Sequence, residues 1–367
     1  MDIHGGPPYT SASQKHCLTK ETGSKTMERM VIGRTGLEVY RLGFGGIPIQ
    51  RVSEAQAVET VLQAVRLGVD FIDTSRVYTT SERRIGLALK QTDRKVILAS
   101  KSLSRSYDAV RMDLETSLKE LQRDYIDLYQ CHFVRDEADY QNVTAPGGAL
   151  EALNKAREEG LIGHIGISSH SLDILDRSLD EGLFDTIMVC FSFLEPLAAE
   201  KLIPKARERN IGVIAMKPFS GGFIESARLA LKYALSQPGI LVIAGVEQKE
   251  LIDENWKVFQ EGHGLTEKEK KEIEETQKRY EKVFCRRCDY CQPCPEEIPI
   301  QMVLGIRSIV KRMGRGILQK GFHRESIEKG RKCTECGTCT TRCPYDLPIP
   351  ELIKKNVCWA DEQMNPI

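Results

Sequence analysis

Three successive apolar runs, FIDTS at 71–75, VILASK at 96–101 and IDLYQCH at 126–132, decide the fold, because each ends in polar residues and is followed by a helix-like stretch. Near-continuous apolarity is typical of strands that are buried on both faces of a parallel sheet. Five further runs extend the series in both directions: LGFGG at 42–46, HIGISS at 164–169, TIMVCF at 186–191, GVIAMK at 212–217 and ILVIAG at 240–245. The runs recur about every 20–40 residues, which is the span of one strand, one helix and two loops.

Eight consecutive strand–helix units predict a closed (β/α)₈ barrel, the TIM-barrel architecture of the α/β class. The alternative is a doubly wound open sheet with a G-x-G-x-x-G turn, but GFGGIP at 43–48 lacks the third glycine. Ahead of the first run, MVIGRTGLEV at 30–39 has two β-favouring halves and predicts a hairpin that closes the bottom of the barrel. Helical periodicity predicts one helix after Ser53 and another at 195–209, with Pro204 inside the second.

The composition excludes several classes of protein. The chain has 367 residues with 52 Lys and Arg against 52 Asp and Glu, and this zero formal charge argues against a nucleic-acid binder. The longest apolar runs, such as ILVIAGV at 240–246, are far shorter than the roughly 20 residues that span a bilayer. Residues 1–26 are rich in Gly, Pro, Ser and Thr with interspersed lysines, so we expect a flexible extension instead of a secretory signal. A reducing, cytoplasmic location follows, in which clustered thiols are typical metal ligands.

Polar residues end several of the apolar runs, and catalytic side chains gather at those ends in a (β/α)₈ barrel. Asp73, Lys101 and His132 end three of the runs, and Tyr78 follows in the loop after Asp73. A phenol has a pKa of about 10, and a neighbouring ammonium lowers that pKa by favouring the phenolate. We expect Asp73 to hold the Lys101 ammonium, Tyr78 to act as a general acid and His132 to bind a carbonyl oxygen. Such a site requires a hydride donor, which points to a nicotinamide.

Five segments, three of which carry these residues, resemble the aldo-keto reductase family. They are GVDFIDTSRVYTTSERRIG at 68–86, ASK at 99–101, YIDLYQCH at 125–132, IGISSHS at 165–171 and AGVEQKELIDEN at 244–255. The resemblance implies a (β/α)₈ barrel with an NAD(P)-dependent oxidoreductase activity on a small carbonyl or alcohol substrate. It also implies a catalytic tetrad of Asp73, Tyr78, Lys101 and His132.

The same resemblance implies a dinucleotide site along the barrel mouth. A serine pair matches residues that hold the nicotinamide carboxamide, the loop at 217–222 matches the one beside the pyrophosphate, and a Glu-Asn pair matches the adenine contacts. The expected contacts are Gly46, Ser168, Ser169, Met216, Lys217, Pro218, Ser220, Gly222, Gln248, Glu254 and Asn255.

Two features depart from the family pattern. Met216 replaces an aromatic residue that stacks under the nicotinamide, and Met188 stands where a glutamine contacts the carboxamide. Lys249 is the one basic residue in VEQKELIDEN, where the family has a basic pair for a 2′-phosphate. The sequence therefore leaves both NADP and NAD open as the cofactor.

Eight of the twelve cysteines form two runs in the last part of the chain. The first run, C-x₂-C-x₂-C-x₂-C-P, contains Cys285, Cys288, Cys291 and Cys294, and the second, C-x₂-C-x₂-C-x₃-C-P, contains Cys333, Cys336, Cys339 and Cys343. The second pattern is typical of ferredoxins with cubane clusters, and in two-cluster proteins the fourth cysteine of each run binds the other cluster. We expect two [4Fe–4S] clusters, one on Cys285, Cys288, Cys291 and Cys343, the other on Cys333, Cys336, Cys339 and Cys294. Zinc is the competing interpretation, but Cys₄ zinc sites do not account for the third cysteine of each run.

The expected organisation is a flexible extension at 1–26, an aldo-keto reductase barrel at 27–264, a charged helical spacer at 265–284 and a ferredoxin-type 4Fe-4S domain at 285–367. Apolar residues recur at helical spacing in IQMVLGIRSIVKRM at 300–313, so the last domain is expected to be small and mainly helical. Residues 306–332 carry nine Lys or Arg against two Glu. A solvated face is the simplest interpretation; the sharper one is a docking site for an acidic electron carrier such as a ferredoxin or flavodoxin.

The leading hypothesis is an oxidoreductase whose barrel transfers hydride and whose clusters transfer single electrons. A flavin-binding signature, which would convert between the two, is not evident in the sequence. The alternative is a nucleotide-binding redox sensor or electron-transfer protein with little carbonyl reductase turnover.

Overall fold

The structure, a computed structural model, describes residues 27–364 apart from the side chain of residue 312. The extension expected at 1–26, with Cys17, lies outside the described residues, as does the chain from 365 onward. Within the described part of the chain, no helix has the length and apolar character needed to cross a bilayer.

Eight parallel strands form a closed barrel, which confirms the fold expected from the eight apolar runs. Each strand pairs with its neighbours in chain order, and the last strand closes the ring against the first, with Val242 opposite Leu42. A short antiparallel hairpin precedes the barrel, with Met30 opposite Val39. The strands are β1 Arg29–Val31, β2 Glu38–Tyr40, β3 Leu42–Gly45, β4 Phe71–Asp73, β5 Ile97–Ser102, β6 Ile126–Cys131, β7 Ile162–Ser169, β8 Thr186–Cys190, β9 Gly212–Met216 and β10 Ile240–Gly245.

Helices alternate with the barrel strands and then continue alone beyond the barrel. They are α1 Glu54–Leu67, α2 Ser81–Leu89, α3 Tyr107–Leu121, α4 Glu137–Thr144, α5 Ala149–Glu158, α6 Leu172–Glu181, α7 Leu202–Glu208, α8 Ala227–Ser236, α9 Lys249–Gln260, α10 Glu267–Tyr280, α11 Ile300–Met313, α12 Phe322–Gly330, α13 Thr338–Thr341 and α14 Ile349–Met364.

The prediction of a single helix at 195–209 is wrong. The chain forms a 3₁₀ turn at Leu197–Ala199, and α7 begins only at Leu202. Pro204 then falls in the first turn of α7, where a backbone N–H has no partner within the helix, so its missing donor costs nothing. The residues before Leu202 instead form a loop at the barrel mouth.

The N-terminal hairpin closes the bottom of the barrel, as predicted. Ile32 and Val39 are fully buried and pack among inward-facing strand residues such as Phe71. Gly33 has a φ of 50°, and a Cβ there would lie 2.2 Å from the backbone nitrogen of Gly212. Only glycine allows this approach, so one end of the barrel is sealed and chemistry is confined to the other.

The charged segment that follows the barrel packs against it through one face of α10. Thr266 and Glu269 form the predicted capping box. Glu269 also accepts a hydrogen bond from Lys232 Nζ at 2.9 Å, and Ile273 is buried in a cluster with Phe193. The helix is therefore attached along the barrel despite its high charge.

The region after α10 is mainly helical, as expected, and is built from two similar halves. In each half, three residues of the cysteine-rich segment have left-handed backbone conformations: Arg287, Asp289 and Glu297 in the first, Glu335, Gly337 and Asp346 in the second. Each segment ends in a similar tripeptide, Ile298-Pro299-Ile300 or Leu347-Pro348-Ile349, and leads into α11 or α14. The two cysteine runs thus adopt matching turns, and the two helices pack on one another in a shared core.

Candidate functional site

A buried ion pair lies at the open end of the barrel. Asp73 is the last residue of β4, and Lys101 lies beside it on β5. Lys101 Nζ donates to the two Asp73 carboxylate oxygens at 2.8 and 2.7 Å and to the Thr74 carbonyl oxygen at 2.6 Å. Burial raises the pKa of the Asp73 carboxyl, and the Lys101 ammonium acts in the opposite direction. Three acceptors surround an ammonium with three protons, so the orientation of Lys101 is fixed.

Tyr78 extends from the loop after β4 over this ion pair. Its ring centroid lies 5.1 Å from Lys101 Nζ and 5.7 Å from the His132 ring, which meets it edge to face. The structure therefore brings Asp73, Tyr78, Lys101 and His132 together, as the sequence predicts. Because the Lys101 protons are directed to other acceptors, Lys101 acts on the phenol through its charge in this arrangement.

His132 is held by a serine that sequence reasoning missed. Ser75 Oγ lies 2.9 Å from His132 Nδ1 and 3.1 Å from the carbonyl oxygen of Lys101. Burial first, and then the charges of Lys101, Arg105 and Lys217, lower the pKa of His132 well below its usual value. The imidazole is consequently neutral at physiological pH, and the hydroxyl of Ser75 decides which ring nitrogen carries the proton.

A cleft of about 540 Å³ opens beside this group, a size suited to a large ligand. Nine of the predicted site residues line it: Gly46, Asp73, Tyr78, Met216, Lys217, Pro218, Gly222, Glu254 and Asn255. Met188, the residue found in place of a glutamine, also lines it. Gly46 must be small, because a Cβ there would lie 2.7 Å from Ser81 Oγ.

The loop at 217–222 borders the cleft through an unusual backbone. Lys217, Ser220, Gly221 and Gly222 all have positive φ angles, between 49° and 95°. Ser220 is fully buried, and its hydroxyl lies 2.6 Å from the hydroxyl of Ser192 in the loop after β8. Ser220 therefore shapes the loop, and the glycines let backbone approach the cleft closely.

One end of the cleft contains an unsatisfied buried donor. Asn255 on α9 is buried, and its Nδ2 has no hydrogen-bond partner within the described residues. A buried amide donor without a partner is costly, and a heteroaromatic base nitrogen or a ribose oxygen would satisfy it. The residues present thus fit the adenosine end of a dinucleotide. Glu254 lines the same end, while Gln248 is the exposed residue that precedes α9.

The predicted serine pair lies at the end of β7, where both hydroxyls bond to backbone. Ser168 Oγ accepts from the Phe133 N–H at 2.8 Å, and Ser169 Oγ donates to the Val134 carbonyl at 2.6 Å. In this structure the pair holds the loop that follows His132. Its contact with a nicotinamide stays a prediction.

The eight cysteines of the two runs gather into two groups of four. Cys285, Cys288, Cys291 and Cys343 line one small cavity. Cys294, Cys333, Cys336 and Cys339 line a second, which Cys291 also borders. Both groups take three cysteines from one run and the fourth from the other, which is the crossed arrangement expected from the sequence.

The chemistry of the donors fits clusters better than single ions. Each group supplies four thiols around a cavity with apolar walls that include Ile298, Ile300 and Leu347. Across the described residues, no three Cys, His, Asp or Glu side chains converge on a point where one metal ion would bind. In a cubane each thiolate binds a different iron, so the sulfur atoms stand further apart than around one zinc ion.

The cysteine-rich domain docks on the open end of the barrel. Arg287, which lies between Cys285 and Cys288 in the sequence, donates to Glu195 Oε1 at 2.7 Å, and both side chains are largely buried. Ser308 Oγ on α11 donates to the Gly221 carbonyl at 2.7 Å, and the Tyr290 hydroxyl donates to Asp173 Oδ1 at 2.9 Å. The group at 285, 288, 291 and 343 therefore lies on the barrel side of the domain.

An eight-stranded barrel with a buried Lys–Asp pair, a tyrosine and a neutral histidine beside a large cleft defines a class of oxidoreductases. Residues 41–228 match the profile of the aldo/keto reductase family, and residues 284–348 match that of a 4Fe-4S dicluster domain. The chain belongs to the aldo/keto reductase family and carries a 4Fe-4S domain after the barrel.

Relatives and solved structures agree with this assignment. The L-galactose dehydrogenase of Arabidopsis thaliana is 33% identical over 217 residues, which cover 54% of this chain and 67% of that protein. An aldo-keto reductase of Bacillus halodurans in its holo form has the same fold with a TM-score of 0.59 at 24% identity, covering 68% of this chain and 96% of that one. An aldo-keto reductase of Klebsiella pneumoniae, solved in complex with NADPH, has a TM-score of 0.57 at 22% identity, covering 67% of this chain and 93% of that one. The two structures show likeness of fold, and the family match together with the curated relative makes the chain an oxidoreductase.

Proposed function

We propose that the chain transfers hydride between a nicotinamide dinucleotide and a small carbonyl or alcohol substrate, with NAD(P)H as the donor when a carbonyl is reduced and NAD(P)+ as the acceptor when the matching alcohol is oxidised. The observation that carries the proposal is the Lys101–Asp73 pair, buried beneath the Tyr78 ring and beside His132 at the edge of the cleft. When bound, NAD(P)H supplies the hydride that reaches the carbonyl carbon. The residues of the barrel then have to orient the carbonyl and protonate its oxygen.

Tyr78 gives its hydroxyl proton to the carbonyl oxygen as negative charge develops there. Lys101 stabilises the resulting phenolate through its charge, at the 5.1 Å separation between ring centroid and Nζ. Asp73 keeps Lys101 charged and fixed. His132, neutral and bonded to Ser75, donates a hydrogen bond to the same carbonyl oxygen and sets its orientation. The single hydroxyl proton of Ser75 has two neighbouring acceptors, the Lys101 carbonyl oxygen and His132 Nδ1. The donation by His132 therefore requires Ser75 to turn this proton from the Lys101 carbonyl to Nδ1, so that the other ring nitrogen is the protonated one.

A dinucleotide in the cleft would be held by residues of three segments. Gly46, Met216 and the serine pair Ser168-Ser169 would hold the nicotinamide, the loop at 217–222 the pyrophosphate, and Gln248, Glu254 and Asn255 the adenosine. The unsatisfied Nδ2 of Asn255 supports the last of these. Neither NADP nor NAD is favoured by these residues alone.

The C-terminal domain, which we assign to 285–367 after a connecting helix at 265–284, holds two [4Fe–4S] clusters. Cys285, Cys288, Cys291 and Cys343 ligate the one nearer the barrel, and Cys294, Cys333, Cys336 and Cys339 ligate the other. The two cysteine-lined cavities support this count. Clusters of this kind transfer one electron at a time.

We further propose that an acidic electron carrier docks on the basic segment at 306–332. Several of its cations are engaged within the domain, such as Arg331 with Asp361 and Lys329 with Glu297. Arg315, Lys320 and Lys332 are exposed and remain available to attract an acidic surface.

Reversing these three charges should slow electron transfer from a reduced ferredoxin or flavodoxin at low salt and abolish the dependence of the rate on ionic strength. Unchanged rates would contradict the docking site. A cytoplasmic location remains a prediction, because clustered thiols are typical of a reducing compartment.

The experiment begins with anaerobic purification, followed by iron and sulfide analysis and release of any bound cofactor. NADPH and NADH oxidation is then measured against a panel of aldehydes and ketones. The Y78F variant should lose about 10²–10⁴-fold in kcat while binding nucleotide normally. Full turnover by Y78F would overturn the role of the tyrosine, and about four iron atoms per chain would overturn the two-cluster count.

A redox sensor is the second candidate, and one observation favours it. Helix α11 borders both cysteine-lined cavities with Ile300, Gln301 and Leu304 and reaches the nucleotide cleft at its other end. A change at the clusters can therefore alter nucleotide binding directly. Nucleotide binding that depends on cluster oxidation state, with no carbonyl reduction across the panel, would favour the sensor.

A further inference from the structure

One helix of the iron–sulfur domain forms part of the wall of the barrel cleft. The first residues of α11 border the cysteine-lined cavities, and its last turns face the barrel. Ser308 is buried and donates to the carbonyl oxygen of Gly221 at 2.7 Å. This bond joins α11 to the middle of the glycine-containing loop that borders the cleft.

Lys311 lies three residues after Ser308 and therefore on the same face of the helix. It is the one residue beyond the barrel and α10 among those that line the cleft in the described structure. Its ammonium makes no hydrogen bond or ion pair with the described residues, and the side chain is exposed. A long flexible cation is thus held at the edge of the cleft beside 217–222.

The barrel's own basic side chains in the cleft already have protein partners. Arg51 forms an ion pair with Glu247, and Lys217 Nζ lies 2.7 Å from His170 Nε2. Glu225 and Glu254 also line the cleft and add negative charge. A dinucleotide brings at least two further negative charges, so the cation whose side chain has no partner among the described residues is the one that electrostatics most favours for a phosphate.

We propose that Lys311 binds a phosphate group of the dinucleotide, so that the nucleotide site is completed by the iron–sulfur domain. This rests on the proposed function, because it requires a dinucleotide in the cleft. The contact of Ser308 with Gly221 positions α11 for this role. The position of Lys311 beside 217–222 favours the pyrophosphate over a 2′-phosphate.

The test measures dissociation constants of NADPH and NADH for the cluster-replete protein by nucleotide fluorescence, without turnover. K311Q should weaken binding about tenfold, which corresponds to about 1.4 kcal/mol. The dependence of Kd on salt should also become shallower, as expected when one charge contact with phosphate is lost. K311R, which keeps the charge, should bind within about threefold of the wild type. K354Q, which removes an exposed lysine of the same domain away from the cleft, is the matched control.

Comparing NADPH with NADH distinguishes a contact with the pyrophosphate, which both nucleotides have, from a contact with the 2′-phosphate, which NADPH alone has. Weaker binding of both NADPH and NADH by K311Q supports a pyrophosphate contact, and weaker binding of NADPH alone supports a 2′-phosphate contact. Equal affinities and equal salt dependence for wild type and K311Q, with unchanged cluster spectra, would overturn the proposal while leaving the proposed function intact. If the wild type itself binds neither nucleotide, the proposed function fails first.

Discussion

Lys101 Nζ donates to both carboxylate oxygens of Asp73, at 2.8 and 2.7 Å, and the two side chains are almost completely excluded from solvent. Removing one partner of a buried ion pair leaves the other charge uncompensated, which costs about 3–5 kcal/mol. We expect D73N to lower the free energy of unfolding by an amount of this order. It should also reduce kcat by at least about 100-fold, because Lys101 loses the partner that fixes it beneath Tyr78. Denaturant unfolding and steady-state carbonyl reduction measure the two effects.

The double variant D73N/K101M is the control for this prediction. It removes both charges, so its loss of unfolding free energy should be smaller than the sum of the losses in D73N and K101M. Strictly additive losses would show that the two residues are not coupled.

Ser75 is expected to act on the reaction through His132. Without the hydroxyl that bonds to Nδ1, the imidazole loses the group that selects its tautomer. We predict that S75A lowers kcat about tenfold or more and changes the ¹⁵N shifts of His132 in selectively labelled protein. The affinity for nucleotide should be unchanged.

Ser104→Ala is the matched control, because Ser104 also makes a side-chain hydrogen bond, to Asp113 at 2.7 Å, but away from the cleft. Equal kinetics for S75A, S104A and the wild type would show that Ser75 has no positioning role.

The barrel and the grouping of Asp73, Tyr78, Lys101 and His132 at its open end could be predicted from sequence because both depend on local patterns. Each buried strand is a short apolar run, and the polar residue that ends it, such as Lys101, must lie at the open end of the barrel. The crossed cysteine groups followed in the same way, since the spacing of each run determines which thiols a cluster can reach. The break before α7 was missed because the periodicity of 195–209 continues through a segment whose backbone turns at Leu197–Ala199.

Contacts between distant segments were not predictable in this way. Ser75 and His132 are separated by 57 positions, and a serine after a strand is too common to indicate a partner. Lys311 belongs to a basic segment that suggested only a docking surface, and its place at the cleft depends on how α11 packs against 217–222. The high charge of α10 likewise obscured Ile273, which anchors that helix to the barrel.

The low pKa of His132 has a consequence for the pH dependence of the reaction. Burial and three neighbouring cations favour the neutral ring, so His132 takes up a proton only well below the usual pKa of about 6.5. We predict that kcat/KM for carbonyl reduction shows no loss near pH 6.5 on acidification. An acid limb centred there, absent in H132Q, would contradict this.

The lowered pKa of His132 also predicts how the free energy of unfolding changes with pH. Below about pH 6.5 the unfolded chain protonates this histidine while the folded chain does not, so folding becomes less favourable as pH falls. The stability of the wild type relative to H132Q should therefore decrease between about pH 7 and pH 5. A constant difference across this range would mean that His132 titrates alike in the folded and unfolded states.

The crossed cysteine groups make the fourth ligand of each cluster the most informative residue to change. Cys343 lies in the second run but lines the cavity formed by Cys285, Cys288 and Cys291. We predict that C343S impairs the cluster of the first run and leaves that of the second, so the iron content falls from about eight toward about four atoms per chain. Low-temperature electron paramagnetic resonance of the reduced protein should lose the coupling between two neighbouring clusters.

Cys358 is exposed and lines neither cysteine cavity, so C358S should retain the full iron content and spectrum. Because the affected cluster is the one that Arg287 joins to the barrel, C343S should also change nucleotide affinity more than C294S does. Loss of the second-run cluster in C343S, with the first-run cluster retained, would show that each run supplies all four of its own ligands.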